Sequence, residues 1–237
     1  MSGGRIVVLS GAGLSAEAGL GTFRDAGGLW ARYDLEEVAT PEGFAADPAK
    51  VHEFYNARRA NMIAARPGPA HRALARLSRA AGVTLVTQNV DDLLGRAGAR
   101  GVIHMHGELA RAACHACRAT WEAPAAMGAA DPCPACGTPA TRPDVVWFGE
   151  MPYHMGRIEA ALDAADLFVA IGTSGTVYPA AGFAGEARMA GARTLELNLE
   201  ATGGPFDEVR AGPASRIVPA WVDEIMGPGM PGPAGEP

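Results

Sequence analysis

The stretch GAGLSAEAGLGTFRD, residues 11–25, decides the fold, because it directly follows the apolar, β-prone run Ile6-Val7-Val8-Leu9. Gly11 and Gly13 permit a sharp turn and a close backbone approach to a pyrophosphate, and Ala16 fills the last place of the G-x-G-x-x-G/A fingerprint. The residues that follow can open a helix whose N-terminus favours negative charge. Beyond the turn, Thr22, Phe23 and Arg24 set a hydroxyl, an aromatic ring and a guanidinium where they can clamp the reacting end of a dinucleotide. The fingerprint alone is weak. A strand-turn-helix corner that needs glycine for positive φ gives the same pattern.

Composition narrows the classes. The 237 residues suffice for one generous domain or for a domain with an insertion. A hydrophobic fraction of 48% with 19% charged residues belongs to a folded globular chain rather than a disordered one. The formal net charge of -6 argues against a dedicated nucleic-acid surface, so no nucleic-acid partner is expected. No apolar run approaches membrane-spanning length, and the opening MSGGRIVVLSGAG lacks the long apolar core of an export signal. No membrane partner is expected, and the expected location is the cytoplasm.

The four cysteines form two pairs, Cys114/Cys117 and Cys133/Cys136, with fifteen residues between the pairs. This is the spacing of a structural zinc site, in which each tight turn presents two thiolates and the intervening loop brings the second turn back. Four thiolates close the coordination sphere, so the ion is expected to stabilise a small lobe and to take no part in the chemistry. Two disulfides or a redox C-x-x-C are the alternatives; the missing export signal weighs against the first and the presence of two pairs against the second. His115, inside the first pair, reads as exposed filler.

Strand-like segments at Ile6 to Ser10, Val83 to Thr87, Val102 to His104, Leu167 to Ile171 and Thr194 to Leu199 alternate with alanine-rich helical stretches such as Pro69 to Ala80 and Arg157 to Ala164. That alternation predicts an α/β fold, a Rossmann-like parallel sheet domain made of residues 1–36, 67–110 and 143–226. Two segments break the rhythm: Pro41 to Arg66 reads as a helix pair, and Arg111 to Arg142 holds the cysteines. They predict an inserted smaller lobe, 37–66 and 111–142, with a helical segment and a zinc ribbon. A cleft between the lobes, at the carboxyl ends of the strands, is the expected ligand site. The Pro/Gly-rich tail, 227–237, is expected to be mobile.

Further constellations point to the same cleft. Thr87-Gln88-Asn89-Val90-Asp91 puts an amide and a carboxylate at the end of an apolar strand, where they can bind ribose hydroxyls or simply cap a helix. His104-Met105-His106-Gly107 offers two rings that are expected to fall on opposite faces. His106, just before glycine, is the one assigned to the cleft and to proton transfer. Val145 to Glu150 suits an edge segment that could pair with an extended peptide, and Gly172 to Ala180 offers small polar groups to a phosphate or ribose. Plain sheet and turn remain the alternative for both.

In combination and in order, these residues resemble the sirtuins, NAD-dependent protein-lysine deacylases, from Gly11 to about Val222. The motifs that carry the likeness are GAGLSAEAGLGTFRD, TQNVDDL (87–93), HMHG (104–107), the paired cysteines, VVWFGE (145–150), GTSGTVYPAAG (172–182) and Asn198-Leu199-Glu200. ATPEGF (39–44), FYNARR (54–59) and RPDVVWFGEMP (142–152) look especially like the bacterial CobB type.

The resemblance implies that NAD is the cosubstrate, with Gly11, Ala12, Gly13 and Ser15 around its phosphates and Thr22, Phe23 and Arg24 near its nicotinamide end. Gln88, Asn89 and Asp91 would hold the nicotinamide ribose, and Asn89 and His106 would be catalytic, His106 as general base with an unshifted imidazole. Gly172, Thr173, Ser174, Asn198 and Glu200 would line the ADP end, with Ala214 near the adenine. A hydride-transfer Rossmann enzyme carries an acid about 20 residues beyond its glycines at the end of the second strand. Asp34 and Glu36 lie near that distance but no strand precedes them, so the distant Glu200 fits the family better.

Acylated lysine proteins or peptides, bound as an extended strand at Val146, Phe148, Gly149 and Glu150, are the implied partners, and a monomer is expected. Tyr55 and Arg58 share a helix face at i and i+3. They resemble the pair with which some sirtuins hold succinyl and malonyl groups, a carboxylate taking charge-assisted bonds from guanidinium and phenol. Ala26 leaves room for the longer chain. The implied reaction releases lysine, nicotinamide and O-acyl-ADP-ribose; transfer of ADP-ribose to a protein nucleophile is the alternative. One departure stands out: Asp92-Leu93-Leu94 replaces the Asn-Leu-His of related sequences and loses a polar contact.

Overall fold

The computed structural model describes residues 4–21 and 33–227. Thr22, Phe23, Arg24, Ala26 and the tail after Gly227 therefore lie outside the described residues. In chain order the strands are β1 (Ile6–Ser10), β2 (Val83–Thr87), β3 (Ile103–His104), β4 (Gly107–Cys114), β5 (Thr120–Glu122), β6 (Thr141–Val145), β7 (Leu167–Ile171), β8 (Arg193–Asn198) and β9 (Glu208–Ala211). The helices are α1 (Gly13–Ala16), α2 (Leu35–Val38), α3 (Pro41–Ala46), α4 (Pro48–Ala64), α5 (Pro69–Leu77), α6 (Leu93–Arg96), α7 (Met155–Asp163), α8 (Phe183–Met189) and α9 (Ala214–Met226).

Six strands form one parallel sheet in the order β3-β2-β1-β7-β8-β9. This is the dinucleotide-binding strand order, whose direction of growth reverses between β1 and β7. Ile6 is level with Val83 and Leu167, and Ser10 with Thr87 and Ile171, so three strands end at the same height. Side chains alternate across the sheet. Val7, Leu9, Phe168 and Ala170 pack under α7 and α8, while Val8, Leu85, Val169, Ile171 and Leu197 pack under α5 and α9. A parallel sheet buried on both faces needs such continuous apolar strands, which is why its central members are legible from the sequence.

The expected helix pair is α3 and α4. Thr40 accepts the Gly43 N–H at 3.0 Å and Asp47 the Lys50 N–H at 2.9 Å, each followed by a proline in the first helical turn. Asp34 caps α2 through the Glu36 N–H at 3.0 Å, the local role that its position without a preceding strand left open to it. Leu94 is buried among Leu14, Leu74 and Leu85, so the departure in the TQNVDDL motif exchanges polarity for core contact.

A second sheet, antiparallel and ordered β5-β4-β6, leaves the large one at Gly107. β4 runs through the expected boundary at residues 110 and 111, with a register shift against β6 between Glu108 and Ala112. Its short, alanine- and charge-bearing strands carry little β signal, and Pro143 is tolerated because β6 is an edge strand. Val145 ends β6, so the rest of VVWFGE is a loop rather than strand. Among the described residues no helix is long and apolar enough to cross a membrane.

Phe168 is 1% exposed at the centre of the sheet. Phe168→Ala is expected to cost about 3–5 kcal/mol in urea unfolding with little change in m-value, the loss characteristic of a large buried side chain.

Candidate active site

At the carboxyl ends of β1, β2 and β7 lies a cleft with a cavity of about 1200 Å³. Its floor is set by close backbone approach. A Cβ on Gly13 would sit 2.8 Å from the Gly172 Cα, and one on Gly172, whose φ is +58°, would sit 2.5 Å from the Leu14 nitrogen. Only glycine at both places lets the turn after β1 lie against the turn after β7. The turn is braced as well: the N–H groups of Gly11, Gly13, Leu14 and Ser15 donate to the carbonyls of Ile171, Gly172, Gly11 and Ala12. α1 is a single turn, so close access counts for more here than the helix-terminal field the sequence suggested.

Ser15 is the hub of a polar network. His71 lies in the first turn of α5, 1% exposed, where burial pushes its pKa down and Asp91 partly offsets this. Its Nδ1 accepts the Gly68 N–H at 3.1 Å, so the neutral ring carries its proton on Nε2, 3.2 Å from Ser15 Oγ. Ser15 Oγ in turn donates to Asp91 Oδ2 at 2.9 Å and accepts from Asn89 Nδ2 at 3.2 Å. The other Asp91 oxygen accepts the Leu93 N–H at 3.0 Å. Asp91 thus bonds a backbone N–H at the start of α6, whose N-cap position is Asp92, and the same carboxylate residue lines the cleft.

His106 faces the cavity and His104 does not line it. Strand alternation is not the cause, since residues two apart share a face. The strand β3 stops at His104, a turn at Met105-His106 re-aims the chain, and Gly107 adopts φ +79° where a Cβ would meet the Asp144 carbonyl at 2.1 Å. His106 Nδ1 lies 3.2 Å from the Gln88 carbonyl, which can only accept, so the neutral ring holds its proton there and leaves Nε2 as a lone-pair base. Burial lowers its pKa, and the Gln88 bond only partly opposes this. The expected unshifted imidazole is thus corrected: it is held neutral by desolvation.

Toward the small lobe, Tyr55 is 3% exposed on α4 and its hydroxyl accepts the Trp147 Nε1–H at 3.0 Å. The Arg58 guanidinium carbon lies 5.6 Å from the Tyr55 ring centroid and lines the same cavity. Val146, Phe148, Gly149 and Glu150 form one wall. Much of that wall is already bonded: Val146 N–H to the His106 carbonyl, Phe148 N–H to the Ala39 carbonyl and Glu150 N–H to the Trp147 carbonyl. The Glu150 carboxylate accepts from both Arg142 terminal nitrogens at 2.7 and 2.8 Å and from the Trp147 N–H at 2.9 Å. Burial pushes its pKa up, but these donors outweigh it and hold the carboxyl below its ordinary range.

At the opposite end, Gln88 Nε2 donates to Thr173 Oγ1 at 3.0 Å, and Asn198 Nδ2 donates to the Thr173 carbonyl at 2.8 Å. Ser174, Glu200 and Ala214 line the same cavity, together with Gly11, Ala12, Gly172 and Asp91. The fold thus brings every described candidate for cofactor, substrate and base onto one cleft. His71, Arg142, Trp147 and the buried Glu196, whose carboxylate accepts the Thr202 N–H at 3.1 and 3.2 Å, were not singled out for this region. Trp147 and Arg142 sit inside or beside a quoted motif. His71 and Glu196 had no such signal, for their partners are known only after folding.

The four cysteine sulfurs lie within 4.8 Å of one another. Cys114 and Cys136 Sγ are 3.8 Å apart, and Cys117 and Cys133 Sγ 3.7 Å. A tetrahedron with zinc–sulfur bonds of about 2.3 Å has edges of about 3.8 Å, so the donor set fits one structural ion. His115 is exposed, its ring centroid lies 6.2 Å from that of Phe44, and it is not part of the four-sulfur cluster.

Fold and cleft define a dinucleotide-binding α/β protein with an inserted four-thiolate zinc lobe. The chain belongs to the Sir2 family, which it matches over residues 11–179. It is 56% identical over 230 residues to an NAD-dependent protein deacylase of Caulobacter vibrioides, covering 94% of this chain and 97% of that one. A solved Sir2 homolog–NAD complex superposes with a TM-score of 0.85 at 39% identity, over 93% of this chain and 89% of the other. A mutant Sir2 homologue in complex with 2′-O-acetyl ADP-ribose gives 0.84 at 37% identity, over 93% and 91%.

Chelation, or Cys133→Ser, is expected to release about one zinc per chain and to open the segment between Cys114 and Cys136 to protease while far-UV dichroism of the large sheet persists. Unchanged protease resistance after complete metal loss would contradict a structural ion.

Proposed function

We propose that the protein is an NAD-dependent protein-lysine deacylase that accepts acetyl and also acidic acyl groups, succinyl and malonyl, and forms nicotinamide and O-acyl-ADP-ribose. The observation that carries this is the disposition of His106: its proton is held at Nδ1 by the Gln88 carbonyl, which leaves Nε2 bare, and the residue lines the cavity that Tyr55 and Arg58 also line.

The residues divide the work along the cleft. Gly11, Ala12, Gly13 and Ser15 receive the cofactor's phosphates by close backbone approach, and Thr173, Ser174, Asn198, Glu200 and Ala214 form the ADP end. Thr22, Phe23 and Arg24 are assigned to the nicotinamide end by family likeness alone. NAD supplies the electrophilic ribose carbon and a leaving group. Gln88, Asn89 and Asp91 orient the ribose, the last two held by the Ser15–His71 network. His106 Nε2 takes a ribose hydroxyl proton, a task suited to a buried neutral imidazole.

The acylated lysine lies along the wall from Val146 to Gly149 as an extended segment, using carbonyls because several N–H groups there are taken. Glu150 shapes that wall through Arg142 rather than meeting the substrate. Burial keeps the Tyr55 phenol protonated, and Arg58 keeps its charge despite desolvation, so together they offer a carboxylate one neutral and one cationic donor. Transfer of ADP-ribose to a protein nucleophile would use the same cofactor site but would leave this pair without a task.

His106→Ala is expected to lower NAD-dependent turnover by at least about 100-fold while NAD binding survives. Arg58→Met is expected to collapse desuccinylation selectively; equal loss for acetyl and succinyl peptides would refute the carboxylate role. Mass spectrometry should find O-acyl-ADP-ribose, and ADP-ribosylated protein as the main product would favour the transferase.

The sign of the pH dependence follows from burial of His106. Because its pKa is lowered, the ring stays a base through neutral pH and is lost only as pH falls through a value below the ordinary 6.5. The acid limb of kcat/KM is expected below that value and absent from residual His106→Ala activity.

A further inference from the structure

We infer that Trp147 is a positioning residue for acyl selection: its indole N–H occupies an acceptor position of the Tyr55 oxygen and thereby aims the Tyr55 O–H into the acyl end of the cleft. The inference rests on the reading of Tyr55 and Arg58 as the site of an acyl carboxylate.

The donors around Tyr55 leave its proton one direction. The Trp147 Nε1–H can only donate, and does so to the Tyr55 oxygen at 3.0 Å. The neighbouring guanidinium of Arg58 can likewise only donate, and it faces the same phenol. With both neighbours only able to donate, the O–H must seek an acceptor elsewhere, and among the described residues no acceptor for it is seen. The cavity is what remains, and Tyr55, Arg58 and Trp147 all line it.

The indole itself cannot re-aim. Trp147 is 3% exposed, the Arg142 guanidinium carbon sits 3.5 Å from its ring centroid, Phe44 meets it at 5.1 Å and its backbone N–H is bonded to Glu150. A succinyl or malonyl terminus brings acceptor oxygens to the aimed O–H, whereas the methyl of an acetyl group brings none. The indole N–H therefore weighs on the choice between acyl groups and not only on the packing of the wall.

The test compares kcat/KM for succinyl-lysine and acetyl-lysine versions of one peptide at saturating NAD, in wild type, Trp147→Phe, Tyr55→Phe and the double variant. Phenylalanine keeps an aromatic ring and removes the N–H. The succinyl-to-acetyl ratio is expected to fall roughly fivefold to tenfold in Trp147→Phe, mainly through KM for the succinyl peptide, as the loss of one neutral hydrogen bond implies. Adding Trp147→Phe to Tyr55→Phe is expected to lower the ratio no further, because the indole acts through the phenol. An unchanged ratio, or a full additional loss in the double variant, overturns the inference.

Arg58→Met separates the two levels. If it leaves the ratio unchanged, the carboxylate site itself is wrong; if it collapses the ratio while Trp147→Phe does not, only the role of the indole falls. Should Trp147→Phe fail to fold, 15N-labelled wild type serves. The indole N–H resonance identified by its displacement in Tyr55→Phe is expected to shift on titration with the succinyl-lysine peptide and to stay in place with the acetyl-lysine peptide. No shift with the succinyl peptide, or equal shifts with both, overturns the proposal.

Discussion

The cleft exists because two glycine turns touch. The strands β1 and β7 lie side by side and end level, and the chain leaves them on opposite paths, so the turns at Gly13 and Gly172 must either splay apart or pack backbone to backbone. They pack, at a separation that admits no Cβ on either partner. That contact aligns the carboxyl ends of the strands, opens a crevice where the direction of sheet growth reverses, and brings Thr173 within reach of Gln88, just past the end of β2. A side chain at Gly172 would meet both the strain of positive φ and the Leu14 nitrogen, and the floor of the site would have to move.

Around this floor the polar groups are ordered by one another. Ser15 can donate to Asp91 because His71 and Asn89 both donate to Ser15, and His71 can do so because the Gly68 N–H claims its other nitrogen. The same logic of filled positions operates at His106 and at Tyr55, where a fixed neighbour settles which atom is left to act. Such networks are worth having only when every member is satisfied, since an orphaned polar group in a dry site carries a full desolvation penalty. Here the satisfied members determine which lone pair or proton is presented to the cleft.

The small lobe is bound to this arrangement from two sides. Zinc would close the far end of the small lobe, where the buried cluster consists of Cys114, Cys133 and Ala140 with Ala119 and Trp121 packed against it. Asn56 of α4 then exchanges two hydrogen bonds with Met127, at 2.8 and 2.9 Å, and Arg59 donates to the Leu109 carbonyl at 2.8 Å. Since α4 also carries Tyr55 and Arg58, the helix proposed to read the acyl group is the one that holds the lobe in place. On that proposal substrate selection and lobe stability share a scaffold, and an ion closed off by four thiolates would stand outside the chemistry.

Where chemistry is local in the chain, the amino-acid order by itself was enough. Apolar strands buried on both faces, a glycine fingerprint behind the first of them, and cysteine pairs at metal spacing each satisfy their physical requirement within a few residues, so β1, β2, β7, the cleft and the zinc set could all be named beforehand. The tertiary structure alone decided what depends on partners distant in sequence. The weak strands β4, β5, β6 and β9 gain order from pairing and not from propensity; the separation of His104 from His106 comes from a turn against β6; and the proton of His106 and the hydrogen of Tyr55 are directed by Gln88 and Trp147, groups 18 and 92 residues away. Hydrogen-bond direction depends on which donors and acceptors become neighbours, and that is determined only when the chain has folded.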